Sequence, residues 1–128
     1  MTSHTVVERW LSAADHKRLL QLQGGALPDA LHNILDFSDV LPTAEMRPDA
    51  VRLYTPVRVR ELQSNTTRLL TLCCPEHAAP AQGCVSVLSP IGLALLGRVI
   101  GNQVSYTTPT GRELHLLILE VLLAGTAS

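Results

Sequence analysis

The sequence predicts an α+β chain, with two short helices in the first fifty residues followed by a β-rich unit that carries one further helix. Two changes of pattern predict it. Apolar side chains before residue 50 recur at helical spacing, and from Val57 onward they alternate with polar ones at the period of a strand. Composition sets the kind of core: 46% of the 128 residues are hydrophobic but only 3% are aromatic, so the interior is aliphatic and one core is expected.

The first helix is placed over Leu11 to Leu22, where Leu11, Ala14, Leu19 and Leu22 form a stripe, Ser12 is the N-cap and Asp15 favours the helix dipole. Gln23, Gly24 and Gly25 break it. Leu27, Ala30, Leu31, Ile34 and Leu35 then fall at i, i+3, i+4, i+7 and i+8 of a second, amphipathic helix. Joined by glycines, the two fold back as a hairpin stub with arms of about 18 Å. Pro42 and Pro48 bracket a non-helical connector, Pro42 to Asp49, which places a boundary near residue 50 and divides the chain into 1–50 and 51–128.

In the second part Val57 and Val59 alternate with Arg58 and Arg60, and Arg68 to Cys74 returns as a strand after a turn at Ser64-Asn65. Val85 to Leu88 is a third strand. Ser89 then caps a short apolar helix opened by Pro90 and stopped at Gly97 or Gly101. Gln103 to Thr108 and Glu113 to Leu123 form the last two strands around Pro109-Thr110-Gly111, giving the order β-β-β-α-β-β.

Charge and cysteine content narrow the function. A net charge of −1, distributed as −3 over residues 1–50 and +2 over 51–128, lacks the basic excess of a general nucleic-acid binder. Cys73, Cys74 and Cys84 are odd in number, which fits a reduced compartment and buried thiols better than a disulfide framework. Cys73, Cys74, His77 and Cys84 lack CxxC spacing, and neighbours in a strand point to opposite faces, so no metal site is expected. Gly92 to Gly97 is followed by Arg98 rather than Lys-Ser/Thr, so there is no nucleotide-binding loop. No cofactor is implied. The polar stretch Met1 to Arg9 lacks a secretory pattern, and the longest apolar run, Leu114 to Ala124, falls short of the ~20 residues of a span; a cytoplasmic location without membrane contact is expected. Arg58, Arg60 and Arg68 are candidates for a basic sheet face toward nucleic acid or an acidic protein, although such residues more often form only a solvated face. On the last strand alternation puts Leu116 and Ile118 on one face and His115, Leu117 and Leu119 on the other; Leu117 and Leu122 are candidates for an apolar strip that a second copy, the N-terminal hairpin, another partner or the fold itself would cover.

The string Val85-Ser86-Val87-Leu88-Ser89-Pro90-Ile91-Gly92-Leu93-Ala94-Leu95-Leu96-Gly97, followed by Gly101-Asn102 and Pro109-Thr110-Gly111, resembles the C-terminal domain of the Gre transcription elongation factors. It is closer still to their Rnk-type relatives, the regulators of nucleoside diphosphate kinase. Leu27-Pro28, Ala30-Leu31, Leu35-Asp36 and the connector with Pro42, Glu45-Met46, Asp49 and Val51 are similar to that smaller group, so the resemblance covers roughly residues 11–123. It implies an FKBP-like antiparallel sheet wrapped on one helix, behind a coiled-coil finger. It also implies a non-enzymatic regulator that binds the largest-subunit rim helices of RNA polymerase, with any nucleic-acid contact indirect. Leu88, Ser89, Pro90 and Ile91 occupy the contact motif, although Ser89 and Pro90 are explained equally by capping. Metal-assisted transcript cleavage needs carboxylates at the finger tip, and Gln23-Gly24-Gly25-Ala26 has none. Docking that competes with Gre factors without cleavage is therefore the first reading. An active cleavage factor and a stand-alone FKBP-like ligand-binding module are the alternatives.

Overall fold

The computed structural model describes residues 8–22 and 27–123. The chain runs β1 (Trp10–Ser12), α1 (Ala13–Leu20), α2 (Asp29–Phe37), β2 (Asp39–Leu41), β3 (Pro56–Glu61), β4 (Thr66–Cys73), β5 (Cys84–Ser86), α3 (Pro90–Leu95), β6 (Gln103–Thr107) and β7 (Glu113–Val121). Single 3₁₀ turns lie at Thr43–Glu45, Pro75–His77 and Pro80–Gln82. Among the described residues, no helix is long and apolar enough to cross a membrane.

Ser12 caps α1 as its sequence position predicts, its side chain accepting from the Asp15 N–H at 3.0 Å. The helix starts later than the apolar stripe suggests, because Trp10 to Ser12 is a strand. It pairs in parallel with β2, Leu11 opposite Val40. Two residues of that stripe, Leu11 and Leu19, are at most 1% exposed, whereas Ala14 is exposed and Leu22 only partly buried. A ring nitrogen of His16 lies 3.1 Å from the Leu35 carbonyl oxygen, tying α1 to α2.

The five-stranded sheet has the order β5-β4-β3-β7-β6. It is mixed rather than antiparallel throughout, since β5 runs parallel to β4 with Thr71 opposite Cys84. The physical cause is the connection: Pro75 and Pro80 each open a 3₁₀ turn, and the chain reverses twice before re-entering the sheet. Alternation holds on the other strands. Val57, Val59, Leu70, Leu72, Leu116 and Ile118 face inward and are at most 3% exposed. Between Arg58 and Val59 the pairing with β7 slips past Leu119, a bulge that puts Arg58 opposite Glu120.

Leu95 and Leu96, at and just beyond the end of α3, are fully buried in the same core. Leu19 and Leu31 join them, so one continuous buried cluster takes side chains from both sides of residue 50. The helical pair is thus packed onto the sheet rather than standing off as a finger. Its expected tip, Gln23 to Ala26, lies outside the described residues. Gly97, with φ at 76°, ends α3 and lets the Trp10 N–H donate to its carbonyl at 2.9 Å, which joins β1 to the domain.

Candidate docking surface

The corner between β5 and α3 is built from hydrogen bonds that leave little freedom. The Val87 N–H donates to the Cys73 carbonyl at 2.8 Å, and the Leu88 N–H to the Ser86 hydroxyl at 3.0 Å. Ser89 then donates its hydroxyl to the Ser86 carbonyl at 2.7 Å and accepts the Gly92 N–H at 3.1 Å, so its side chain is committed to the cap. Gly92 fits because it has no side chain: a Cβ there would stand 2.3 Å from the Ser86 carbonyl oxygen. The sequence reading recognised the glycine only as part of a string. Of the four candidate contact residues, Pro90 is exposed, Leu88 and Ser89 are partly exposed, and Ile91 is turned into the core at 9% exposure. Leu88 and Pro90 are what the corner presents.

Both border a groove of about 910 Å³ between α2, α3 and β6. Leu93 and Ala94 continue its apolar wall, Ile34 and Phe37 face them from α2, and Tyr106 closes the β6 side. Phe37 is 80% exposed. Arg9 lies at the groove, its Nη1 donating to the carbonyls of Leu93 and Leu96 at 2.7 Å each. Burial first, and then the like charge of Arg98, push its pKa down to about 10. Neither Phe37 nor Arg9 was a sequence candidate. The signal for Phe37 was its i+3 spacing from Ile34; for Arg9 there was none.

The basic candidates do not form one stripe. Arg58 pairs with Leu69 and Arg60 with Thr67, on the outer face, whereas Arg68 sits opposite buried Val59 on the inner side. Arg58 is ion-paired with Glu120, and Arg68 lies 4.0 Å from Glu61. Leu117 faces outward between Arg60 and Gln103 and is half-buried, with exposed Leu69 on the same sheet face. Leu122, also half-buried, donates its N–H to Pro56. Cys73 and Cys74 are buried, and burial, followed by Cys84, raises the Cys73 thiol above its usual range. Among the described residues, no group of three or more His, Cys, Asp or Glu side chains is placed to hold a metal.

The family described as "Transcription elongation factor, GreA/GreB, C-term" matches residues 46–122. The chain belongs to the GreA/GreB family. A transcription elongation factor GreA of Prosthecochloris aestuarii is 38% identical over 93 residues, which are 71% of this chain and 58% of the relative. The chain thus matches less than two thirds of that protein's length. A regulator of nucleoside diphosphate kinase from Escherichia coli is 33% identical over 98 residues, 77% of this chain and 72% of the relative. Among solved structures, a prokaryotic transcription elongation factor GreA/GreB from Nitrosomonas europaea superposes with a TM-score of 0.75 at 30% identity, over 91% of this chain and 98% of that one. These relatives are transcription factors and regulators, and this GreA/GreB-family chain shares the fold of the solved one.

Proposed function

We propose that this protein is a transcription regulator that docks on bacterial RNA polymerase at the rim of the secondary channel and competes there with Gre factors without stimulating transcript cleavage. The observation that carries the reading is the β5–α3 corner, where Ser89 and Gly92 hold Leu88 and Pro90 at the surface in a fixed geometry. A preformed apolar contact loses little ordering entropy on binding. On this reading residues 51–128 are the FKBP-like docking domain, and their role is occupancy.

The absence of cleavage rests on chemistry and reach. Residues 23–26 supply no carboxylate for a hard cation. Helices α1 and α2, of 8 and 9 residues, span only about 12–14 Å.

The test is co-elution with Escherichia coli core RNA polymerase at micromolar concentration, using wild type, Pro90→Asp and a GreA competitor. Wild type is expected to co-elute, to be weakened by the substitution and to be displaced by GreA. No complex, or one indifferent to Pro90→Asp, would sink the docking reading. Backtracked complexes supply the second arm, in which RNA shortening by the wild type would identify an active cleavage factor.

A further inference from the structure

We infer that the docking surface extends from Pro90 into the adjoining groove, where Phe37 is a hydrophobic anchor and Arg9 receives a carboxylate from the polymerase segment bound there. The inference rests on the docking reading above and specifies the chemistry of the partner: an acidic side chain flanked by apolar ones.

Phe37 is the only phenylalanine in the chain, and at 80% exposure it contributes almost nothing to the core. Isolated exposed hydrophobic residues are common. This one is not isolated: it shares the groove with Leu88, Pro90, Leu93 and Ala94, so a partner side chain entering there would bury against both α2 and α3. An aromatic residue bordering a largely apolar pocket is the usual composition of an interface hot spot.

Arg9 supplies the charge. Both Nη1 hydrogens are used by the Leu93 and Leu96 carbonyls, while Nε and Nη2 make no hydrogen bond among the described residues. Among the described residues no buried side-chain nitrogen or oxygen lacks a partner, so these two groups are not sealed unpaired in the interior. All eleven Asp and Glu residues lie within the described residues, and none forms an ion pair with Arg9. The nearby Arg98 has the same sign, and α3 offers only carbonyl dipoles. The groove therefore carries a cation that no Asp or Glu side chain among the described residues neutralises. The Nε and Nη2 edge of a guanidinium matches a carboxylate with two parallel hydrogen bonds.

Equilibrium binding to Escherichia coli core RNA polymerase, measured by biolayer interferometry at two salt concentrations, tests this with wild type, Phe37→Ala, Arg9→Gln, Arg9→Lys and Pro90→Asp. Phe37→Ala is expected to melt like the wild type and to bind at least about tenfold more weakly. Arg9→Gln is expected to bind several-fold more weakly with a flatter salt dependence, and Arg9→Lys to restore the salt dependence. If Arg9→Gln lowers the melting midpoint through loss of its bonds to α3, Phe37→Ala and Arg9→Lys still decide the question. Wild-type affinity in both Phe37→Ala and Arg9→Gln, with Pro90→Asp weakened, would overturn the groove contact and leave the docking reading standing. Failure of the wild type to bind at all would remove both.

Discussion

The phenol oxygen of Tyr54 lies 2.6 Å from Nδ1 of His77 and accepts the Cys74 N–H at 3.2 Å, so that one side chain links the approach to β3 with the turn after β4. The Arg18 guanidinium, 5.4 Å from the ring centroid, adds α1 to the same cluster. Tyr54 holds this position with φ at 60°, a left-handed conformation that costs a non-glycine residue about 1 kcal/mol or more.

Removing the hydroxyl should therefore loosen the tie between the approach to β3 and the turn after β4, while the ring contact with Arg18 is kept. Tyr54→Phe is expected to lose about 1 kcal/mol, lowering the thermal midpoint by roughly 4 °C. Desolvation, reinforced by Cys74, raises the phenol above its usual pKa. The folded state thus favours the neutral form, and the contribution is complete below about pH 10 and lost as pH rises through the folded value. Urea midpoints between pH 9 and 11 should fall more steeply for wild type than for Tyr54→Phe. Parallel curves would show that the phenol is not coupled to folding.

Asp15 gives a second pH dependence with an unusual sign. Burial raises its pKa, outweighing the Leu53 N–H, Arg52 and Arg18, all of which favour the carboxylate. Because the folded pKa lies above the unfolded one, protonation stabilises the fold, and that gain is lost as pH rises through the folded value. Asp15 Oδ2 nevertheless accepts the N–H of buried Leu53 at 3.1 Å. Asp15→Asn can keep that acceptor without the charge and is expected to match the wild type within about 0.5 kcal/mol at neutral pH. Asp15→Ala strands the amide and should cost about 1–3 kcal/mol. Equal losses in both variants would show that the charge, not the acceptor, matters.

Local chemistry made both capped helices and the inner strands legible. Ser12, Ser89, Pro90, Gly97, the Ser64-Asn65 turn and the Val57, Val59 alternation each act within a few residues, and each stands where its local rule puts it. What was not legible depends on register or on distant partners. Strands β1 and β2 are three residues each, too short to show a period, and they pair across the whole helical hairpin. Arg68 leaves the Arg58 face because the β3–β4 turn sets even-numbered residues opposite odd-numbered ones, as in Arg58 opposite Leu69. Phe37 and Arg9 reach Pro90 only through a groove assembled from segments far apart in sequence.

Gly92 is the least replaceable residue of the corner. The Cβ of Gly92→Ala would stand 2.3 Å from the Ser86 carbonyl and 2.9 Å from the Val87 Cα, both backbone atoms that a rotamer change does not move. Separation of α3 from β5 should cost more than about 3 kcal/mol, beyond the usual range of overpacking. Chemical denaturation checks this, and a loss under 1 kcal/mol would mean that the corner yields easily. Gly101→Ala is the comparison: no atom lies within 4 Å of its Cβ position, and only its φ of 93° opposes it.

The outer sheet face offers a test of self-association. Leu117 and exposed Leu69 lie there among Arg60, Thr67 and Gln103, and a second copy is one candidate to cover them. If it does, wild type should sediment partly as a dimer at tens of micromolar and Leu117→Glu as a monomer. The substitution should change stability by no more than about 0.5 kcal/mol. A wild type that is monomeric throughout removes self-association from this face.

Ser89 separates the two explanations of the motif. Its hydroxyl donates to Ser86 and accepts from Gly92, bonds that the cap needs whether or not a partner docks. Ser89→Ala should cost about 1 kcal/mol or somewhat more, because it removes an N-cap and a second hydrogen bond. Ser89→Asn retains an oxygen that can accept the Gly92 N–H and should recover much of that loss. Polymerase affinity is expected to follow the same order, since Ser89 acts by positioning Leu88 and Pro90. A Ser89→Asn variant with restored stability and undiminished loss of binding would instead give the serine hydroxyl a direct contact with the polymerase.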